Sequence, residues 1–211
     1  MSLNKTILRH KPLDRVVHWT VALSGIWTLL SGLSFMFAPL HFLSYVYGSP
    51  QLARILHPFG AIVMTIGLAF LVVRYWSHNH FEKGDLQWML KVKDVLTENE
   101  ENVPEAGQYN AGQKMILRQF IACAMLLLVT GLIAWRAYFA GYFSIDIVRI
   151  ALIVHSITAV VFALSLIIHV YMAYWVKGSI DGMLEGKVSP AWAKKHHPRW
   201  FRAITSGKNQ H

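Results

Sequence analysis

Four apolar runs without a charged residue divide this chain, at 16–38, 55–73, 119–135 and 150–176. Each approaches or exceeds the roughly 20 residues a helix needs to cross a hydrocarbon core. The pattern predicts membrane helices over about 16–38, 54–76, 113–136 and 148–176. The expected fold class is therefore an all-α integral membrane protein, a four-transmembrane-helix bundle. One domain, 1–211, accounts for the chain, ending in a basic tail at 177–211. The first run lacks a small-residue cleavage pattern, so it is expected to be a retained anchor rather than a signal peptide.

Smaller signals refine these elements. Ser49 before Pro50 suits a helix cap and first helical position. Pro58 falls early in the second run, where its missing donor is expected to bend the entry. Trp19, Tyr171, Tyr174 and Trp175 sit at span edges as interfacial anchors. Gly25 and Gly32, and again Gly60 and Gly67, repeat at seven residues. Their faces suit either close helix packing or the approach of a flat macrocycle. Between the second and third runs, DLQWMLKVKDVL is amphipathic and expected to lie on the membrane surface.

Composition agrees: 55% of residues are hydrophobic and 15% charged, against about 25% charged in soluble domains. The net charge of +9 raises nucleic acid as a partner, but the placement of the charges argues against it. Lys5, Arg9, Lys11 and Arg15 precede the first span. Lys83, Lys91, Lys93 and Lys114 lie between the second and third. Lys177, Lys187, Lys194, Lys195, Arg199, Arg202 and Lys208 follow the fourth. By the positive-inside rule both termini and the 77–114 loop are cytoplasmic, and the 39–53 and 137–148 loops face the other side. Cys123 is the one cysteine. It permits no disulfide within the chain, and no C-x-x-C-H is present to attach a c-type haem. Inside a span it is expected to be a small apolar filler.

Eleven histidines are present, and four fall inside the spans. His155 and His169 are 14 residues apart. At about 100° per residue they share nearly one helix face, separated by a rise of about 21 Å. Their neighbours along the chain set their depths. His18 follows Arg15 and His169 precedes Lys177, so these two lie near the inside. His57 follows Arg54 and His155 follows Arg149, so these lie near the outside. Two pairs result, His18 with His169 and His57 with His155. Neutral imidazole is an axial haem ligand, and two on separate helices would clamp one porphyrin. The predicted cofactors are two non-covalent b haems, each bis-histidine. Two other readings stand: histidines that only hydrogen-bond neighbouring helices, or a haem-free anchor or transporter. A transporter would more typically carry Asp or Glu in its spans, and these runs have none. His10, His41, His78, His80, His196, His197 and His211 are expected to meet solvent or headgroups.

Several stretches carry a family resemblance: DRVVHWT at 14–20, PQLARILHPFG at 50–60, YNAGQKM at 109–115, WRAYFA at 135–140, and VKGSIDGMLEGKVSPAWAKKHHPRWF at 176–201. With them the chain resembles the gamma subunit of respiratory formate dehydrogenase, a membrane cytochrome b. The resemblance implies a periplasmic-side haem on His57 and His155 and a cytoplasmic-side haem on His18 and His169. It implies a menaquinone site lined by Asn110, Gly112, Gln113, His169, Met172 and Ala173. It also implies an iron–sulfur beta subunit, a molybdenum-containing alpha subunit that oxidises formate, and the bacterial inner membrane. No catalytic residue for formate oxidation is expected on this chain. The cytochrome b subunits of membrane hydrogenases and thiosulfate reductases share the histidine pattern in outline and remain as alternatives.

Asn110 and Gln113 carry amides able to bind a quinone oxygen, and Gly112 leaves room for a ring. The plainer reading is a helix cap by Asn110 with Gln113 exposed in the first turn. Arg54, Arg136 and Arg149 are candidates for haem propionates, or else anchors or partner contacts. The tail at 177–201 suits anionic lipid or docking on a partner's membrane helix. A higher oligomer of the complex is compatible with this reading.

Overall fold

The computed structural model describes residues 6–97, 99 and 103–207; Lys5, Lys208 and His211 lie outside them. Four long helices carry the apolar runs: α1 (Pro12–Met36), α2 (Pro50–Tyr75), α5 (Ala111–Ala134) and α6 (Ile145–Trp175). Between α2 and α5 lie the short helices α3 (Lys83–Leu90) and α4 (Val92–Leu96). After α6 come α7 (Ser179–Leu184), α8 (Pro190–His196) and α9 (Pro198–Thr205). There are also two-residue strands, β1 (Ile7–Leu8) and β2 (Lys187–Val188), and 3-10 helices at Ala38–Tyr47, Trp76–His78 and Ala140–Tyr142.

The long helices start two to four residues earlier than the apolar runs predict, because caps and not hydrophobicity set their ends. Pro12 opens α1 with Asp14 in its first turn, where a carboxylate meets the positive end of the helix dipole. Ser49 Oγ accepts from Leu52 N at 3.1 Å and Pro50 opens α2. The helix runs on through Pro58.

Internal contacts divide the chain into two compact units. One comprises 16–73 and 119–170 and holds the four-helix bundle. Its helices pack closely where side chains are small. A Cβ on Gly67 would come within 2.6 Å of Val21, and one on Gly60 within 2.6 Å of the Thr28 hydroxyl. The core gathers Met64, Cys123 and Phe162, with Val21, Phe120 and Leu127 against them. Cys123 is a buried filler there, as expected. Most remaining large apolar side chains point outward, among them Leu23, Ile66, Ile153 and Ile167, each at least 60% exposed. Such surfaces on helices long and apolar enough to span call for a lipid surround. The chain is a multi-pass membrane protein.

The other unit comprises residues up to 15, 74–118 and from 171 onward. The tail is neither a free basic arm nor a bare helix. β2 pairs antiparallel with β1, Ile7 opposite Val188 and Leu8 opposite Lys187. Arg9 N and His10 N both donate to the Gly186 carbonyl, and Gly186 takes φ +82° to present it. Arg15 Nε donates to the Met183 carbonyl at 3.2 Å, and its terminal nitrogens donate to the Leu184 and Glu185 carbonyls. Val188, Ala193 and Trp200 form a second core. Arg9 is buried among the rings of Tyr109, Trp192 and Trp200, 4.5–5.6 Å from their centres, and donates to the Gln108 carbonyl.

His197 departs from expectation. It is 1% exposed, donates from Nδ1 to the Gly107 carbonyl at 2.9 Å, and lies tilted against Trp192 with ring centres 5.1 Å apart. The surrounding AWAKKHHPRW is amphipathic, and His197 falls on its inner face. α3 is likewise less free than a surface helix. Asp85 in its first turn is buried with Lys114 of α5, Nζ to Oδ2 2.8 Å.

Candidate functional site

α6 carries His155, Phe162 and His169 at intervals of seven, so all three meet the bundle interior. His155 faces His57 of α2 with ring centroids 6.2 Å apart. His169 faces His18 of α1, also at 6.2 Å. Both predicted pairs therefore form, each from two different helices. Phe162 lies between the two levels, packed with Phe120, which in turn meets the His169 ring edge-on.

The spacing has a chemical meaning. An imidazole nitrogen binds a first-row metal at about 2 Å and lies about 1.1 Å from its ring centre. Two imidazoles coaxial on one ion therefore have centroids about 6 Å apart. Among the described residues no three histidine, cysteine or carboxylate groups converge. A bare ion would be short of ligands, whereas haem iron brings four equatorial nitrogens and needs only two axial ones.

Surrounding groups fit the same ligand. Ser31 Oγ lies 2.8 Å from His57 Nδ1 and donates to the Thr28 carbonyl at 2.8 Å. Thr130 Oγ1 lies 2.9 Å from His155 Nδ1 and donates to the Leu126 carbonyl at 2.6 Å. Each hydroxyl has one proton and spends it on a carbonyl. Its oxygen can then accept from the imidazole Nδ1–H, a tautomer that would leave the Nε2 lone pair available to a metal. Glycines make room beside the rings: a Cβ on Gly32 would lie 3.5 Å from His57 Cε1, and one on Gly131 3.3 Å from His155 Cε1. His18 Nδ1 is buried with no hydrogen-bond partner among the described residues. The residues present therefore suit haem at both levels. Ser31, Thr130 and Gly131 escape a sequence reading, since nothing along the chain marks which hydroxyl or glycine will face a histidine across helices.

Comparison with known proteins bears on what this arrangement is. The sequence profile of the family described as prokaryotic cytochrome b561 matches residues 9–186, which include all four histidines. The chain belongs to that family. The cytochrome is 48% identical over 204 residues to the cytochrome b556(Fdn) subunit of the nitrate-inducible formate dehydrogenase of Escherichia coli K12, covering 97% of this chain and 94% of that one. It is 44% identical over 202 residues to a formate dehydrogenase cytochrome b556 subunit of Haemophilus influenzae, covering 96% and 85%. Another Escherichia coli K12 relative, the cytochrome b556(fdo) subunit, is 44% identical over 204 residues, covering 97% and 96%.

Asn110 and Gln113 form a reciprocal cap on α5. Asn110 Oδ1 accepts from Gln113 N at 2.9 Å, and Gln113 Oε1 accepts from Asn110 N at 3.0 Å. Both side-chain oxygens are committed to the helix end. The ring beside Gly112 is the Trp88 indole, 3.3 Å from where a Cβ would stand. Met172 and Ala173 follow His169 within about one turn of α6. Arg149 meets Asp146 at 3.5 Å with both side chains exposed, and Arg54 and Arg136 are exposed. Of the glycines that repeat at seven residues, Gly32 sits at a histidine and Gly25 at Met64 and Phe162. Gly60 and Gly67 serve contact between α1 and α2.

Proposed function

We propose that this chain works as a single domain, the di-haem cytochrome b subunit of a membrane formate dehydrogenase. On this reading it anchors an iron–sulfur subunit, and through it a molybdenum subunit, in the bacterial inner membrane. It passes electrons from the periplasmic side to menaquinone near the cytoplasm, with both termini cytoplasmic. The observation that carries the reading is the spacing of the two histidine pairs, each fit for one iron at its own level of the bundle. Haem bound there supplies one-electron redox chemistry.

The chain's own residues have distinct tasks. His57 and His155 hold one haem, and His18 and His169 the other. Phe162 and Phe120 pack the intervening space and keep water out. Asn110 and Gln113 orient the quinone head with their amide N–H2 groups, since their oxygens are used in the cap. Met172 and Ala173 offer apolar surface to its ring. Protons for the reduced quinone enter from the polar 77–112 segment, so charge is separated across the membrane without a pumping step. Arg54, Arg136 and Arg149 are the cations available to propionates or to the partner at the far end.

The test is purification of the complex in mild detergent. A molybdenum and iron–sulfur partner should co-purify, and formate should reduce b-type absorption that a menaquinone analogue then reoxidises. Reduction by hydrogen instead, or co-purification with a thiosulfate reductase, would replace the proposed partner. A dithionite-treated sample without a b-type α band would leave only an anchor or transporter.

A further inference from the structure

The two histidine pairs differ in what holds their outer nitrogens. Around His57 and His155 the Nδ1 atoms are engaged by buried hydroxyls, Ser31 at 2.8 Å and Thr130 at 2.9 Å. Ser31 is fully buried and Thr130 7% exposed. Both hydroxyl protons are given to backbone carbonyls, so each oxygen is available as an acceptor toward the ring. Tyr47 closes the Ser31 side, its hydroxyl donating to the Trp27 carbonyl one turn back. Around His18 the matching atom, Nδ1, is buried with no hydrogen-bond partner among the described residues.

This asymmetry has a redox consequence. An imidazole that donates from Nδ1 gains anionic character and becomes the stronger donor at Nε2. A stronger axial donor favours the more positive, oxidised iron and lowers its potential. An imidazole whose Nδ1–H finds no acceptor stays the weaker donor. We propose that Ser31 and Thr130 are positioning residues that hold iron at the His57–His155 level at a lower potential than iron at the His18–His169 level. The hydroxyls then set the direction of flow. With haem bound at both levels, one electron would pass from the first to the second, one iron being oxidised as the other is reduced. The inference rests on the di-haem reading above.

Potentiometric titration of the b-type α band in the purified complex tests it. The wild type should titrate in two steps. In His155→Ala the surviving step should be the upper one. Ser31→Ala and Thr130→Val, with both haems retained, should raise the lower step and leave the upper in place. Thr130→Ser, which keeps the hydroxyl, should hold the wild-type value. Unmoved steps in the haem-replete variants, both steps moving together, or a surviving lower step in His155→Ala would overturn the assignment. So would loss of haem from both hydroxyl variants, which would make the hydroxyls supports for binding and not for potential. Fewer than two haems in the wild type would instead overturn the di-haem reading itself.

Discussion

At the residue scale, the histidine pairs were legible and their supports were not. His155 and His169 reveal themselves by helical period, and the flanking arginines and lysine give their depth. Ser31 and Thr130 look like any hydroxyls in a membrane helix, because their role depends on how one helix is rotated against another. Glycines are legible only in part. The seven-residue spacing of Gly60 and Gly67 marks a face, but only the fold shows that the face meets Val21 and Thr28. Gly67→Ala should thus force α1 and α2 apart, and overpacking of this kind costs about 1 to 3 kcal/mol. A lowered thermal midpoint would register it, and an unchanged midpoint would contradict it. Gly131→Val should push the His155 imidazole, whose Cε1 lies 3.3 Å from where a Cβ on Gly131 would stand. Haem at that level should then dissociate faster, with the other level unaffected.

At the scale of elements, the four spans followed from hydrophobic length, whereas the fold of the polar segments did not. β1 and β2 are two residues each and lie near opposite ends of the chain, so no local pattern could announce their pairing. The same holds for Lys114, which lies 29 residues from Asp85. Breaking that buried pair by Lys114→Met leaves a carboxylate without its cation, a change that costs about 3 to 5 kcal/mol in buried pairs. Accelerated proteolysis between α3 and α5 would reveal it. Burial, and then the neighbouring Arg9 guanidinium, hold His197 down to about 3 from the usual 6.5. Between those values a released tail binds a proton that the packed tail does not. The packing is therefore fully favoured above about pH 6.5 and weakens as pH falls toward 3. Limited proteolysis of residues 187–205 should rise over that window in the wild type and lose much of its pH dependence in His197→Gln.

At the scale of the whole molecule, the bundle brings imidazoles from three helices into two pairs, with Phe162 between the levels. α6 contributes to both, which is why its register governs everything else in the site. The surface is mostly apolar along the spans and basic toward the tail, as suits a subunit that lives among lipids and carries charge only at its edges. The most direct measurement is the haem-to-protein ratio of the purified chain, read from the reduced b-type spectrum, in wild type and in His155→Ala. The account predicts two haems in the wild type and one in the variant. A wild-type ratio of one, or a variant that keeps both haems, would contradict it.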